Sequence, residues 1–185
     1  GFIMAKEKGF YKDANLDVTL EEYLTGTDIV EEVLTQKNNY GIHNSSVVIN
    51  DGVLEPVILM ATYSQQSPLV FVVSREITYP KDLIGKVISG TKDELKYSSL
   101  SLLLNHFYIT YKNTKFIDHS FGIDDFINHK VDAMTAFRTN QLYLLDKQNI
   151  QYNIIDPSDF GFIMSAVNLF TSKSEALNYP DRTQR

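Results

Sequence analysis

Short apolar runs alternate with amphipathic helical stretches along nearly the whole chain, and this alternation limits the fold more than any other feature. Strand-like runs are "LDVTLEEY" (16–23), "NYGIHN" (39–44), "PVILMATY" (56–63), "LVFVV" (69–73), Lys86 to Ser89, "TKFIDHS" (114–120), "VDAMTAF" (131–137) and "IQYNIID" (150–156). Leu16, Val18 and Leu20 recur with period two, the mark of a half-buried strand. "PVILMATY" and "LVFVV" show no alternation, as expected of strands covered on both faces. Helical stretches fall between these runs. "FIMAKEKGF" closes at Gly9, which is read as a C-cap. "TDIVEEVLTQK" (27–37) places Ile29, Val30, Val33 and Leu34 on one face and opens with the capping pair Asp28 and Glu31. Further helices are expected at 45–52, over the long stretch 92–109, at 123–130 and at 139–149, with a one-turn helix just after Tyr79. Strands separated by helices mean parallel βαβ units, an α/β fold.

With 43% hydrophobic and 22% charged residues, the 185-residue chain has a normal globular balance, enough for one domain or two small lobes. Its net charge of −6 and the absence of a basic stripe argue against nucleic acid as a partner. There is no cysteine, so disulfides, zinc–thiolate sites and cysteine nucleophiles are excluded. His43, His106, His119 and His129 show no metal-ligand spacing. No pair among Asp124, Asp125, Asp132 and Asp156 reads as an acid/base couple. The expectation is therefore no catalytic residue, no metal and no cofactor. No apolar run approaches the roughly 20 residues that span a bilayer. No Gly/Ser-rich linker is present, so any two lobes are joined by ordered strands.

The carboxyl ends of strands in open α/β sheets are where ligands bind, and helices that start there present free N–H groups. Polar residues stand at four such positions. Thr25, Gly26 and Thr27 open a helix, either as ligand donors or as simple caps, with Asp28 already close to the helix dipole. Asn44, Ser45 and Ser46 open the next, with no acid adjacent. Ser89, Gly90 and Thr91 precede the long helix. Arg138, Thr139 and Asn140 follow an apolar strand, and Arg138 is suited to a bidentate grip on a carboxylate or else to an ordinary exposed position. A weak internal echo links two of these sets. In each, a helix ends near a lysine (Lys37, Lys130), an Asn or Asp follows (Asn39, Asp132), and a short strand leads to the polar opener. A fifth candidate is the segment "YSQQSP", where Tyr63, Gln65, Gln66 and Ser67 separate two apolar strands and Pro68 stiffens the passage.

The stretches "AKEKGFYKDANLDVTLEEY", "GTDIVEEVLTQKNNYGI", "SQQSPLVFVVSR", "YPKDLIGKVISG", "VDAMTAFRTNQLYLL" and "DPSDFGFIMSAVNLFTS" resemble the NMT1/THI5-like substrate-binding domains, related to periplasmic binding proteins for sulfonates, nitrate, taurine and pyrimidine precursors. The resemblance covers nearly the whole chain. It implies a type II periplasmic-binding-protein-like α/β fold of two lobes joined by two crossover strands, with the ligand in the cleft. Lobe 1 is then 1–66, lobe 2 is 67–155, and 156–185 returns to lobe 1. Relative to the family, a first strand and the closing helices are missing, so the chain reads as truncated at both ends. The implied role is an extracytoplasmic solute-binding or sensor domain that closes on a small polar molecule such as an amino acid, organic acid, sulfonate or pyrimidine. The implied partner is a membrane-bound histidine kinase or diguanylate cyclase region of the same chain, tethered to the inner membrane. The alternative is the substrate-binding component of an ABC transporter working with its permease, for a thiamine precursor or a sulfonate. Synthases of pyrimidine precursors share the fold but use a cysteine-rich motif, which this sequence lacks.

Overall fold

A computed structural model of the chain describes residues 1–24, 27–44, 57–119 and 122–184. These fall into two compact units. Unit 1 comprises Gly1–His43, Val47–Ala61 and Leu169–Arg185, and unit 2 comprises Asn44–Ser46 and Thr62–Asn168.

Unit 2 is built on a mixed five-stranded sheet. Its strands are β3 (Leu69–Val73), β4 (Val87–Ser89), β5 (Lys115–Ile117), β6 (Ala133–Phe137) and β7 (Asn153–Ile155), in the order β5-β4-β6-β3-β7. The five apolar residues of β3 are all buried, as their unbroken run predicts. Their side chains alternate between two cores. Leu69, Phe71 and Val73 pack with Ile88, Leu100 and Leu103, while Val70 and Val72 pack with Met134, Leu142 and Leu145. β4 runs parallel to β5 and β6, but β3 runs antiparallel to both β6 and β7. The purely parallel sheet expected from the alternation is thus corrected to a mixed one. A parallel neighbour needs a crossover of a dozen or more residues, usually helical. Between β3 and β4 the chain forms only a turn and a 3-10 helix, Pro80–Leu83, and the two strands are not paired.

The long helix expected over 92–109 is two helices, α4 (Lys92–Tyr97) and α5 (Ser99–His106). Ser98 is extended at φ −125° and ψ 178°, and its hydroxyl accepts the Leu100 N–H at 3.1 Å. A serine hydroxyl that bonds local backbone competes with helix continuation, which explains the break. α6 (Asp124–Ile127) and α7 (Gln141–Lys147) cover the second face with Phe126, Leu142 and Leu145.

Unit 1 carries α1 (Phe2–Glu7), α2 (Phe10–Asp13), α3 (Ile29–Leu34), α8 (Lys173–Asn178) and α9 (Pro180–Gln184). It also carries a three-stranded sheet in the order β1-β8-β2, with β1 at Tyr40–His43, β2 at Val57–Thr62 and β8 at Asn168–Ser172. Asp28 caps α3 by accepting the Glu31 N–H at 3.0 Å, as the capping pair predicts. Val30 and Val33 pack on Phe170 of β8. Gly41 is obligatory there, because a Cβ on it would lie 2.5 Å from the Phe170 ring. Two expectations are corrected in this unit. Residues 16–23 are not a strand: Leu16 and Val18 are half-buried, but among the described residues no segment pairs with them in a ladder. β2 is not covered on both faces, since it is an edge strand and Leu59 is 48% exposed. Its apolar run does not imply two packed faces. The expected helix at 45–52 lies outside the described residues.

Candidate ligand-binding edge

Because β3 opposes its neighbours, the amino end of β3 and the carboxyl ends of β4, β5, β6 and β7 share one edge of the unit 2 sheet. Backbone bonds fix this directly: Arg138 N–H donates to Pro68 O at 3.0 Å, and Gly90 N–H to Ile117 O at 3.1 Å. That edge gathers Ser67, Ser89, Gly90, Thr91, His119, Arg138 and Asp156.

The polar segment before β3 runs antiparallel to residues 164–167. Tyr63 N–H donates to Val167 O, Ala166 N–H to Ser64 O and Ser67 N–H to Met164 O, at 2.8, 3.0 and 2.7 Å. Ser64 Oγ donates to Gln66 O, and Ser67 Oγ accepts the Leu69 N–H. The serines therefore shape the passage, while the side chains of Tyr63, Gln65 and Gln66 are exposed.

At the carboxyl end of β4 the polar groups are largely committed. Thr91 caps α4 in a reciprocal box: its Oγ1 accepts the Glu94 N–H at 3.2 Å, and its own N–H donates to Glu94 Oε2 at 3.0 Å. Glu94 Oε2 also accepts Thr135 Oγ1 from β6 at 2.7 Å. Gly90 admits no side chain, because a Cβ would meet Thr135 Cγ2 at 2.7 Å. Ser89 Oγ is buried without a hydrogen-bond partner among the described residues. His119 sits near Glu94 and Asp125 and beside the Thr135 backbone. Burial lowers its pKa, and these neighbours only partly offset that.

At the end of β6, Arg138 Nη2 donates to Asp156 Oδ2 at 2.6 Å. Asp156 is 7% exposed and also accepts the N–H and O–H of Ser158. Burial alone raises its carboxyl, but the bonds from Arg138 and Ser158 outweigh that and hold it below the usual value of 3.8. Phe137 N–H is taken by Gln141 Oε1. Thr139 and Asn140 are exposed, and Asn140 precedes α7 without a side-chain cap bond.

In unit 1, Thr27 is half-buried and donates its N–H to Leu24 O, whereas Thr25 and Gly26 lie outside the described residues. Asn44 is half-buried and grouped with unit 2; Ser45 and Ser46 lie outside the described residues. Sequence reasoning did not name Glu94 and weighed Asp156 only as one of four scattered acids, not as a site residue. The T-x-x-E spacing of Thr91 and Glu94 was a readable signal, since it marks a capping box. Nothing local marks Asp156 as the partner of Arg138. A separate pocket of about 140 Å³ lies between Leu104, Tyr111 and Phe116 and is smaller than a typical ligand site. Among the described residues, no group of three His, Cys, Asp or Glu side chains is placed to hold a metal ion, and no helix is long and apolar enough to cross a membrane.

The NMT1/THI5-like family matches residues 1–185. The chain belongs to this family. Its fold is that of the type II periplasmic binding proteins, as three solved structures illustrate. The periplasmic aliphatic sulphonate binding protein SsuA from Escherichia coli superposes with a TM-score of 0.70 at 14% identity, over 99% of this chain and 65% of that one. The periplasmic sulfonate-binding protein SsuA from Methylobacillus flagellatus KT gives 0.65 at 20% identity, over 97% and 56%. The VFT2 domain of BvgS from Bordetella pertussis gives 0.60 at 12% identity, over 100% and 76%. The chain thus spans less than two thirds of the length of the two SsuA proteins. No curated protein matches it.

Proposed function

We propose that the chain is an extracytoplasmic solute-binding module that takes a small polar molecule and passes its occupancy to a membrane-bound signalling region of the same protein. The observation that carries this reading is the family match over residues 1–185, in a fold whose solved examples include periplasmic binding proteins. Tyr63, Gln65, Gln66 and Asn140 offer exposed side chains for contact, and Arg138 keeps donors beyond the one given to Asp156. Ser67, Ser89 and Thr91 shape the strand ends. Binding shifts the population toward the ligand-competent state by the ligand's differential affinity. The second reading, a substrate-binding component of an ABC transporter, is favoured by the SsuA likeness. No chemistry on the ligand is proposed in either case.

The test is a melting-temperature screen with amino acids, organic acids, sulfonates and pyrimidines, joined to mass spectrometry of whatever co-purifies. A true ligand at 100 times its Kd adds about 2.7 kcal/mol of stability and is recovered unchanged. Gln66→Ala and Asn140→Ala each weaken that ligand. A panel without a single stabilising compound sinks the reading, and a ligand indifferent to both substitutions sinks the site. A chain that requires a permease for function, with no effect of ligand on a linked kinase or cyclase, favours the transport reading.

A further inference from the structure

The pocket between α4, α5 and β5 has a size and a lining that define an occupant. It lies wholly within unit 2 and shares no lining residue with the strand-end edge. β5 is the outer strand of the sheet, so Phe116 has a strand on one flank only and is half-buried. Leu95, Leu104 and Ile109 form the other apolar walls. Tyr111 is 76% exposed, and its ring stands at 54° to that of Phe116 with centroids 4.6 Å apart. Two rings so placed offer a face and an edge to a third. The volume is about 140 Å³. An apolar cavity of comparable size, lined by Leu, Ile and Phe, takes one benzene-sized molecule.

The wall that carries Tyr111 is braced before anything binds. Asn113 Oδ1 accepts the Thr110 N–H, and Asn113 Nδ2 donates to Tyr108 O, both at 2.8 Å. Among the described residues, no charged side chain lines the pocket, so an ion placed there would lose water without gaining a partner. One lining polar group is uncommitted. Asn105 is exposed on α5, and among the described residues its side-chain amide has no hydrogen bond. Thr110 Oγ1, by contrast, already accepts the Lys112 N–H at 3.3 Å.

We propose that this pocket is a second binding site, for an uncharged single-ring aromatic molecule that carries one hydroxyl group. The ring sits among Leu104, Tyr111 and Phe116, and the hydroxyl bonds the Asn105 amide. The site does not rest on the binding-module reading, which stands or falls separately.

The experiment follows backbone amide NMR shifts while the chain is titrated with phenol, fluorobenzene and benzoate. Fluorobenzene keeps the ring but has no donor, and benzoate adds a charge. Phenol shifts the amides of Asn105, Thr110, Tyr111 and Phe116 and saturates with a Kd on the order of 1 mM. Fluorobenzene binds about fivefold more weakly, the loss of one hydrogen bond, and benzoate at least about tenfold more weakly. Asn105→Ala, at an exposed helix position where alanine is favourable, removes the preference for phenol and leaves fluorobenzene unchanged. Tyr111→Ala weakens both rings by about threefold or more. No saturating shift at these amides with phenol up to about 10 mM, ten times the expected Kd, overturns the site. Benzoate binding as tightly as phenol overturns the uncharged class. A phenol preference that survives Asn105→Ala overturns the role of that amide.

Discussion

Asp156 shows how one residue at this edge links stability to pH. Its folded-state pKa lies below the ordinary 3.8 because the donors from Arg138 and Ser158 outweigh the cost of burial. The carboxylate therefore contributes stability above the unfolded-state value, and that contribution is lost as pH falls through the lower folded-state value. Arg138→Ala removes one charge-assisted bond and leaves a nearly buried carboxylate with fewer partners. The expected loss at neutral pH is about 1–3 kcal/mol, toward the low end because the Arg138 side chain is 44% exposed. The difference from wild type narrows once pH drops below 3.8, where protonation removes the same interaction from wild type. Urea unfolding at a series of pH values measures both. A gap that stays constant into strong acid means Arg138 stabilises by some route other than Asp156.

At the scale of elements, the interruption between α4 and α5 rests on Ser98. Its Oγ accepts the Leu100 N–H, its O–H bonds Glu94 O, and its carbonyl receives Ser101 Oγ at 2.7 Å. Ser98→Ala removes the cap of a helix whose Leu100 and Leu103 are fully buried in the unit 2 core. The expected cost is about 1 kcal/mol, read as a lower urea midpoint at unchanged slope. A rise in the midpoint instead would mean that a continuous helix fits this core better. The same region shows what was legible in the sequence. Apolar length alone announced β3, because five covered residues leave no other strand reading. The boundaries of α4 and α5 were hidden, since serine is compatible with both a helix interior and a cap. Residues 16–23 alternate correctly yet make no ladder, because pairing depends on a partner elsewhere in the chain. The candidate site is readable only as a set of strand ends, the property that makes Arg138, Thr91 and Ser89 candidates. Its internal pairing is not. Arg138 and Asp156 are 18 residues apart, and Glu94 and Thr135 are 41 apart, separations that only the sheet order brings to contact.

For the whole molecule, the two units differ in what holds them. The sheet of unit 2 is packed on both faces, with Val70, Phe71, Val72 and Val73 fully excluded from solvent. Full burial of one such side chain is worth about 1.5–3 kcal/mol. The buried cluster of unit 1 is Val30, Val33 and Phe170, supported by half-buried Ile29, Leu34 and Val57. Unit 1 also ties its chain end with a buried carboxylate: Glu175 is 2% exposed and accepts Arg182 Nε at 2.7 Å and Asn39 Nδ2 at 3.2 Å. Among the described residues, these three core side chains and the ion pairs of Lys37 with Glu32 and Arg182 with Glu175 do not match two packed faces. Local opening follows buried contact, so the units are expected to open with different free energies rather than as one cooperative block. In native-state hydrogen exchange, the amides of β3 and β6 should be the slowest in the chain, and those of β1 and β8 should exchange well before them. Low urea should accelerate β1 and β8 first. A bound ligand should slow exchange in the unit whose folded form its site requires, since stabilisation by mass action acts on that form. Equal exchange free energies for β1 and β3 without ligand would show instead that the small core of unit 1 unfolds only together with unit 2.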